Sequence, residues 1–224
     1  MKIMTLNIRH GGGTRSKEIM EAVLKHNPTT VIFTEYRENK NAGFFRQGLF
    51  EKGYLSFSSS SINPKTNSVA IASKESFVTT TFPLDLGSQS HRVLLASFKG
   101  ISILGVYFAQ KEEKRHLFNF INDRQRELLG SKGAILGDFN TGKHYIDEPK
   151  RTFHCVDEFE QLQHSGLIDS WRSRNRDTNE FSWYSSAGKG FRIDHILSMP
   201  DLDRMVTSIF SSHEERENGI SDHS

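Results

Sequence analysis

Apolar and polar positions alternate along this chain in two rhythms. A period near two marks strands and a period near 3.6 marks helices. Lys2–Ile8 carries Ile3, Leu6 and Ile8 and reads as a strand that ends near Asn7. Gly11-Gly12-Gly13 interrupts it, and Thr14 or Ser16 can cap a helix that runs to about Lys25, with Ile19, Met20, Val23 and Leu24 on one stripe. Asn27-Pro28 stops that helix, and the β-branched and aromatic run Thr30–Thr34 is a second strand with Glu35 at its end. Ser68–Ser73, Phe77–Phe82, Val93–Phe98 and Ile101–Phe108 read as further strands. Glu112–Leu129 is the longest helical pattern, with Leu117, Phe120, Ile121 and Leu128 inward and Gly130 after it. A charged, irregular stretch covers Thr141–Arg151. A helix then runs from about Thr152 to His164, the short apolar segment Leu167–Trp171 follows, and strands are predicted at Phe181–Tyr184, Arg192–Leu197 and Met205–Phe210.

The most informative stretch is Ala134-Ile135-Leu136-Gly137-Asp138-Phe139-Asn140. Its apolar start reads as a buried strand. Its end delivers a carboxylate and a carboxamide to the sheet rim on one face, while Phe139 points to the other. The same three residue types are also ordinary turn formers. The other strand ends weigh the reading toward chemistry: Asn7, Glu35, Tyr107, Asp194 and the Asp222-His223 pair also stand at predicted element ends. Hard oxygen donors with one imidazole suit Mg²⁺ or Mn²⁺. No Cys/His cluster has zinc spacing. Gly137–Lys143 has the Gly-x4-Gly-Lys spacing of a phosphate loop, but His144 stands where the motif needs Ser or Thr. Asp194 and His195 are neighbours on a strand and should face opposite ways, which makes His195 a far-face or core histidine.

Composition bounds the picture without deciding it. The chain has 224 residues, enough for one full-sized domain, 35% hydrophobic residues and a mean hydropathy of −0.54. No apolar run approaches membrane-spanning length. A single cysteine, Cys155, excludes an internal disulfide framework and points to a reducing, cytoplasmic setting. A net charge of +2 neither demands nor excludes nucleic acid, because a local basic stripe suffices. Arg172, Arg174, Arg176, Lys189 and Arg192 form one candidate stripe.

Six short pieces, in order, resemble the endonuclease/exonuclease/phosphatase superfamily of exonuclease III and DNase I-like phosphodiesterases: Leu6-Asn7-Ile8, Glu35 after an apolar strand, Gly105–Phe108, Gly137–Asn140, Arg192-Ile193-Asp194 and Ser221-Asp222-His223. The resemblance spans almost the whole chain. It implies a single α/β domain over residues 1–224, a four-layer sandwich of two mixed sheets packed face to face with helices outside. Glu35 would be the main metal ligand, with Asn7 supporting it and Asp222 a second acidic contact. Asp138 would orient or deprotonate water and Asn140 would help hold it. His223, held by Asp194, would bind phosphate, and Tyr107 would touch the phosphate or leaving group. Family members add one more strand beyond this histidine. Because the sequence ends at Ser224, the resemblance implies either a truncated C-terminal strand or a loosely held last motif.

The second half is closest to exonuclease III and the apurinic/apyrimidinic endonucleases, whose aromatics wall a sugar pocket. Trp183 and Phe191 would do so here, with Arg192 beside them. Both aromatics also read as ordinary core residues. The first half departs from that branch: Arg9-His10-Gly11-Gly12-Gly13 follows the first strand and Thr34 precedes Glu35. Arg9 and His10 become candidate phosphate contacts. The expectation is a monomeric, Mg²⁺-dependent phosphodiesterase acting on DNA. The alternatives are a hydrolase of another phosphoester, such as a sphingomyelin-like lipid or inositol phosphate, and a non-catalytic binding module on the same fold.

Overall fold

A computed structural model describes residues 1–224. The first sheet comprises β1 (Ile3–Asn7), β2 (Thr30–Tyr36), β3 (Ser56–Ser59) and β4 (Ser68–Ser73), in the order β1-β2-β4-β3, with β1 and β2 parallel. The second comprises β5 (Val78–Thr80), β6 (Val93–Phe98), β7 (Ile101–Tyr107), β8 (Gly133–Asp138), β9 (Ile168–Asp169) and β12 (Asp194–Ser198), in the order β5-β6-β7-β8-β12-β9. Trp183–Tyr184 (β10) and Gly190–Phe191 (β11) form a separate hairpin.

Side-chain alternation sorts the apolar residues into three cores, and these define four layers. Phe33, Ala70 and Leu6 face α1 (Ser16–His26) and α2 (Ala42–Glu51). Ile32, Val69, Ile71, Ile103, Ala134 and Leu136 fill the space between the sheets. Leu104, Val106 and Ile135 pack on the far side; α3 (Pro83–Leu86), α4 (Arg115–Leu129) and α5 (Val156–His164) contribute Leu86, Phe118 and Phe159 there. The expected four-layer sandwich is therefore the fold. No helix is long and apolar enough to cross a membrane.

Several boundaries differ from the sequence reading, each for a local reason. Met205–Phe210 forms no strand: it pairs with no neighbour, and Met205 and Phe210 are exposed. The strand expected at Phe77–Phe82 shrinks to three residues before Pro83. The helix expected from Thr152 starts at Val156, because the Glu148 carboxylate holds the Thr152 and Phe153 N–H groups and Cys155 adopts φ 59°. Unforeseen, α2 contains Gly43 and Gly48, poor helix formers. Phe45 and Leu49 bury its inner face, and a Cβ at Gly48 would come within 2.5 Å of the Met20 sulfur. No helix follows Gly137–Lys143, so the phosphate-loop spacing there is coincidental.

Candidate active site

The alternation that fills the gap between the sheets also carries polar groups to its open end. On β1, Ile3 and Asn7 share the inward face; on β7, Ile103 and Tyr107; on β8, Leu136 and Asp138; on β12, Asp194 and Ile196. β1 and β7 run parallel to their neighbours β2 and β8, so their C-terminal ends meet at one rim; β12 runs antiparallel and begins there, with Asp194 opposite Asp138. Glu35 is the exception to simple alternation. By parity it belongs with Phe33 on the helix side. A register shift between Phe33 and Tyr36 and a left-handed φ of 57° turn it back toward the rim. Gly137 is required next to Asp138: its φ is 140°, and a Cβ there would stand 2.0 Å from the Val106 carbonyl oxygen.

Asn7 stands at the centre. Its Oδ1 accepts from the Arg9 N–H at 2.9 Å, which aims Nδ2 at Glu35 Oε1 (3.3 Å) and Asp138 Oδ2 (3.3 Å); His223 Nε2 lies 3.4 Å away. His223 Nδ1 lies 2.7 Å from Asp194 Oδ2. Burial disfavours the imidazolium, but the Asp194 and Asp138 charges outweigh it and push the His223 pKa up to about 10. Burial and the nearby Asp194 charge push the Asp138 carboxyl up to about 7. Tyr107 is pushed up to about 12 by burial and by Glu35, so it remains a neutral donor. The Asn140 N–H caps Asp138 Oδ1 at 2.8 Å, and Asn140 Nδ2 donates to the Phe108 carbonyl.

The terminal motif is pinned, not loose. Ser221 Oγ donates to the Asn7 carbonyl at 2.7 Å, the Ser224 N–H donates to the Ser182 carbonyl at 2.8 Å, and His223 bridges Trp183. Ser182 Oγ in turn accepts from the Ile193 and Asp194 N–H groups, which sets the start of β12.

The donor set fits a divalent cation. Glu35, Asp138 and Asp194 converge with no Lys or Arg ion-paired to any of them. Asp138, Asp194 and His223 present ligand atoms within 4.8 Å of one another. His223 and Asp194 already share a hydrogen bond, which leaves the Glu35 and Asp138 oxygens, both facing the Asn7 amide, as the hard donors of the set. Asn7 turns its N–H, and not a lone pair, toward them.

Three expected contacts are engaged otherwise. Asp222 pairs with Arg9 (Oδ1 to Nε 3.2 Å) and stands outside the convergent set. His10, expected at a phosphate, instead flanks Glu35, its Nδ1 3.0 Å from Oε2. Arg192 is only 4% exposed and is held by Asp147 (2.7 Å) and Asp169 (2.5 Å), so it is a buried tie under the site and not a surface for substrate. Arg172 and Arg174 are likewise bound to Asp147 and Asp203. Trp183 and Phe191 pair across the hairpin, half-buried, with ring centroids 5.7 Å apart. His195 is buried behind the site against Phe139 and Phe159, its Nε2 2.8 Å from the Thr141 carbonyl oxygen, as its parity predicts.

The Arg192 tie has a measurable consequence. Burial raises the Asp147 and Asp169 carboxyls, but the Arg192 charge and, at Asp169, the adjacent His195 more than offset it and hold both below the usual carboxylate range. A depressed carboxyl stabilises the fold above its unfolded pKa, and that stability is lost as pH falls toward the folded value. Arg192→Met leaves the buried Asp169 carboxylate without its guanidinium partner and Asp147 with Arg172 alone, and costs about 3–5 kcal/mol at neutral pH. Thermal melts at stepped pH check this: the deficit should shrink as pH falls below neutrality, because burial raises the carboxyls stranded in the variant and they protonate before the native pair does. A pH-independent deficit would contradict it.

Sequence reasoning missed Asn67. Its Nδ2 donates to Glu35 Oε2 at 2.9 Å and approaches the Tyr107 hydroxyl at 3.5 Å; its Oδ1 accepts from Arg37 Nε. A search of strand C-terminal ends passes over it because β4 is antiparallel and starts at this rim. Ser182 escaped the same way, lying just ahead of β10.

Residues 4–223 match the model of the Endonuclease/Exonuclease/phosphatase family. The chain superposes on the 3′ phosphatase NExo from Neisseria, a variant bound to a product DNA hairpin, with a TM-score of 0.83 and 22% identity over 100% of this chain and 96% of that one. The 3′-5′ exonuclease NExo from Neisseria meningitidis gives 0.82 and 22% over the same shares. An AP endonuclease from Archaeoglobus fulgidus gives 0.82 and 20%, again over 100% and 96%. At these identities the likeness is one of fold. No curated protein sequence matches the chain.

Proposed function

This chain belongs to the endonuclease/exonuclease/phosphatase family of phosphoester-cleaving hydrolases, and we propose that it is a Mg²⁺- or Mn²⁺-dependent phosphodiesterase whose substrate is DNA. The observation that carries the reading is the Asn7 amide, which lies within 3.4 Å of Glu35, Asp138 and His223, three residues far apart in sequence.

Glu35 would hold the cation, fixed by Asn7 and Asn67, with Asp138 facing it. When bound, the cation neutralises charge on the scissile phosphate. The residues of the chain do the rest. Asp138, buried opposite Asp194, is placed to take a proton from the attacking water. Asn140 helps place that water. His223, kept protonated by Asp194, donates to a phosphoryl oxygen and steadies the developing charge. Tyr107 offers a neutral hydroxyl to the phosphate or leaving group. The DNA assignment rests on Trp183 and Phe191, paired aromatics beside the His223 backbone that offer faces for a sugar or base. Arg9 at the rim is a phosphate contact, and Asp222 sets its direction.

A substrate panel tests this. Abasic duplex, 3′-phosphate duplex, blunt duplex, single strand, sphingomyelin and an inositol phosphate are each incubated with Mg²⁺ and with EDTA. Turnover should fall on a DNA substrate, vanish with EDTA and return with Mg²⁺ or Mn²⁺. Preference for the lipid or the inositol phosphate would overturn the DNA assignment, and chelator-insensitive hydrolysis would overturn the metal role of Glu35.

A further inference from the structure

Beneath the Asp138–Asn140 turn lies a buried cation that the proposed chemistry does not use. Lys114 ends the 3₁₀ turn Lys111–Lys114 that leads into α4. It is 1% exposed, pairs with no carboxylate, and its Nζ donates to the Asn140 carbonyl. Burial pulls its pKa down to about 8. An ammonium with a single carbonyl partner is costly to bury. A methionine would fill much the same space without that cost.

The surroundings explain what the charge does. Asn140 adopts a left-handed φ of 50°, a conformation that a non-glycine residue keeps only when its surroundings impose it. Three groups impose it besides Lys114. Gln110 Nε2 donates to Asn140 Oδ1 at 2.5 Å, Asn140 Nδ2 donates to the Phe108 carbonyl, and the Asn140 N–H donates to Asp138. Lys114 alone holds the carbonyl side of the residue, through a charge-assisted bond.

We propose that Lys114 is a positioning residue: its ammonium fixes the Asn140 backbone, so that the Asn140 side chain is held beside the Asp138 carboxylate at the scissile phosphate. This rests on Asn140 belonging to the catalytic turn, and the test separates the two ideas. Lys114→Met, Asn140→Ala and the double variant are assayed for kcat and KM on the best substrate of the panel with Mg²⁺, alongside thermal melts. Lys114→Met should lower kcat about 30-fold and change KM less than about threefold, and in the Asn140→Ala background the same change should cost under about threefold. Lys114→Gln, which keeps a donor but not the charge, should fall between wild type and Lys114→Met. An equal loss in both backgrounds, or no loss, would overturn the positioning role. Full activity of Asn140→Ala would instead overturn the site assignment on which it rests. If Lys114→Met does not fold, Lys114→Gln is put through the same cycle; if neither folds, Lys114 serves the core and the inference falls.

Discussion

Asp138→Asn is expected to lower kcat about a thousandfold or more while the protein melts within a few degrees of wild type. The substitution keeps shape. The new amide oxygen can still accept the Asn140 N–H that now bonds Asp138 Oδ1 at 2.8 Å. What disappears is the proton acceptor. Asp138 is 1% exposed and faces Asp194 across the sheet, so the native carboxylate is held where ionisation is disfavoured. That is a cost to the fold and an asset to a base that must work near neutrality. Removing the charge relieves the repulsion, while Asn7 Nδ2, at 3.3 Å, then meets an amide, and the two effects oppose each other. Single-turnover rates on the preferred substrate, set beside thermal melts, check both halves. Wild-type turnover at an unchanged melt would remove Asp138 from the mechanism.

Most of this site could be read from the chain because strand parity is a rigid rule. Asn7, Tyr107, Asp138 and Asp194 each share the inward face of their strands, so locating the apolar run located the polar group at its rim end. His195 shows the rule working in the other direction: one residue after Asp194, it lies behind the sheet. Where the site depends on departures from regular backbone, the sequence pattern was silent or misleading. Parity would place Glu35 among the helices, and only its bulge and positive φ return it to the rim. The resemblance to a known family, and not alternation, grouped it with Asp138. Asn67 and Ser182 precede strands that begin at the rim, where no apolar run points toward them.

Charge was the least legible property. Arg192 follows an aromatic and precedes a functional carboxylate, as a substrate contact would. Only tertiary packing reveals that Asp147 and Asp169 enclose it. Lys114 was hidden in a helical pattern of charged residues that reads as a solvated face. Long cationic side chains do not declare from sequence whether they end in water or beneath a turn.

His223→Ala is expected to carry the second large loss, about a thousandfold in kcat, with a separable effect on stability. In the native protein the imidazolium sits between Asp194 (2.7 Å) and Asn7 (3.4 Å), 5% exposed. Removing it deprives the phosphate of its cationic donor. It also leaves the Asp194 carboxylate, itself largely buried, without its counter-charge, at about 1–3 kcal/mol. The two effects come apart in a double variant. Asp194→Asn added to His223→Ala should restore the melting temperature, because the stranded charge is gone, and should leave activity at the level of His223→Ala. Asp194→Asn alone should lower turnover about a hundredfold or more, since His223 then loses the partner that sets its tautomer and keeps it charged. Adding Asp138→Asn to His223→Ala should cost far less than the product of the two single losses, because a base without its phosphate donor has little left to accelerate. If the losses multiply, or the double variant recovers activity along with its melt, Asp138 and His223 do not act on one phosphate.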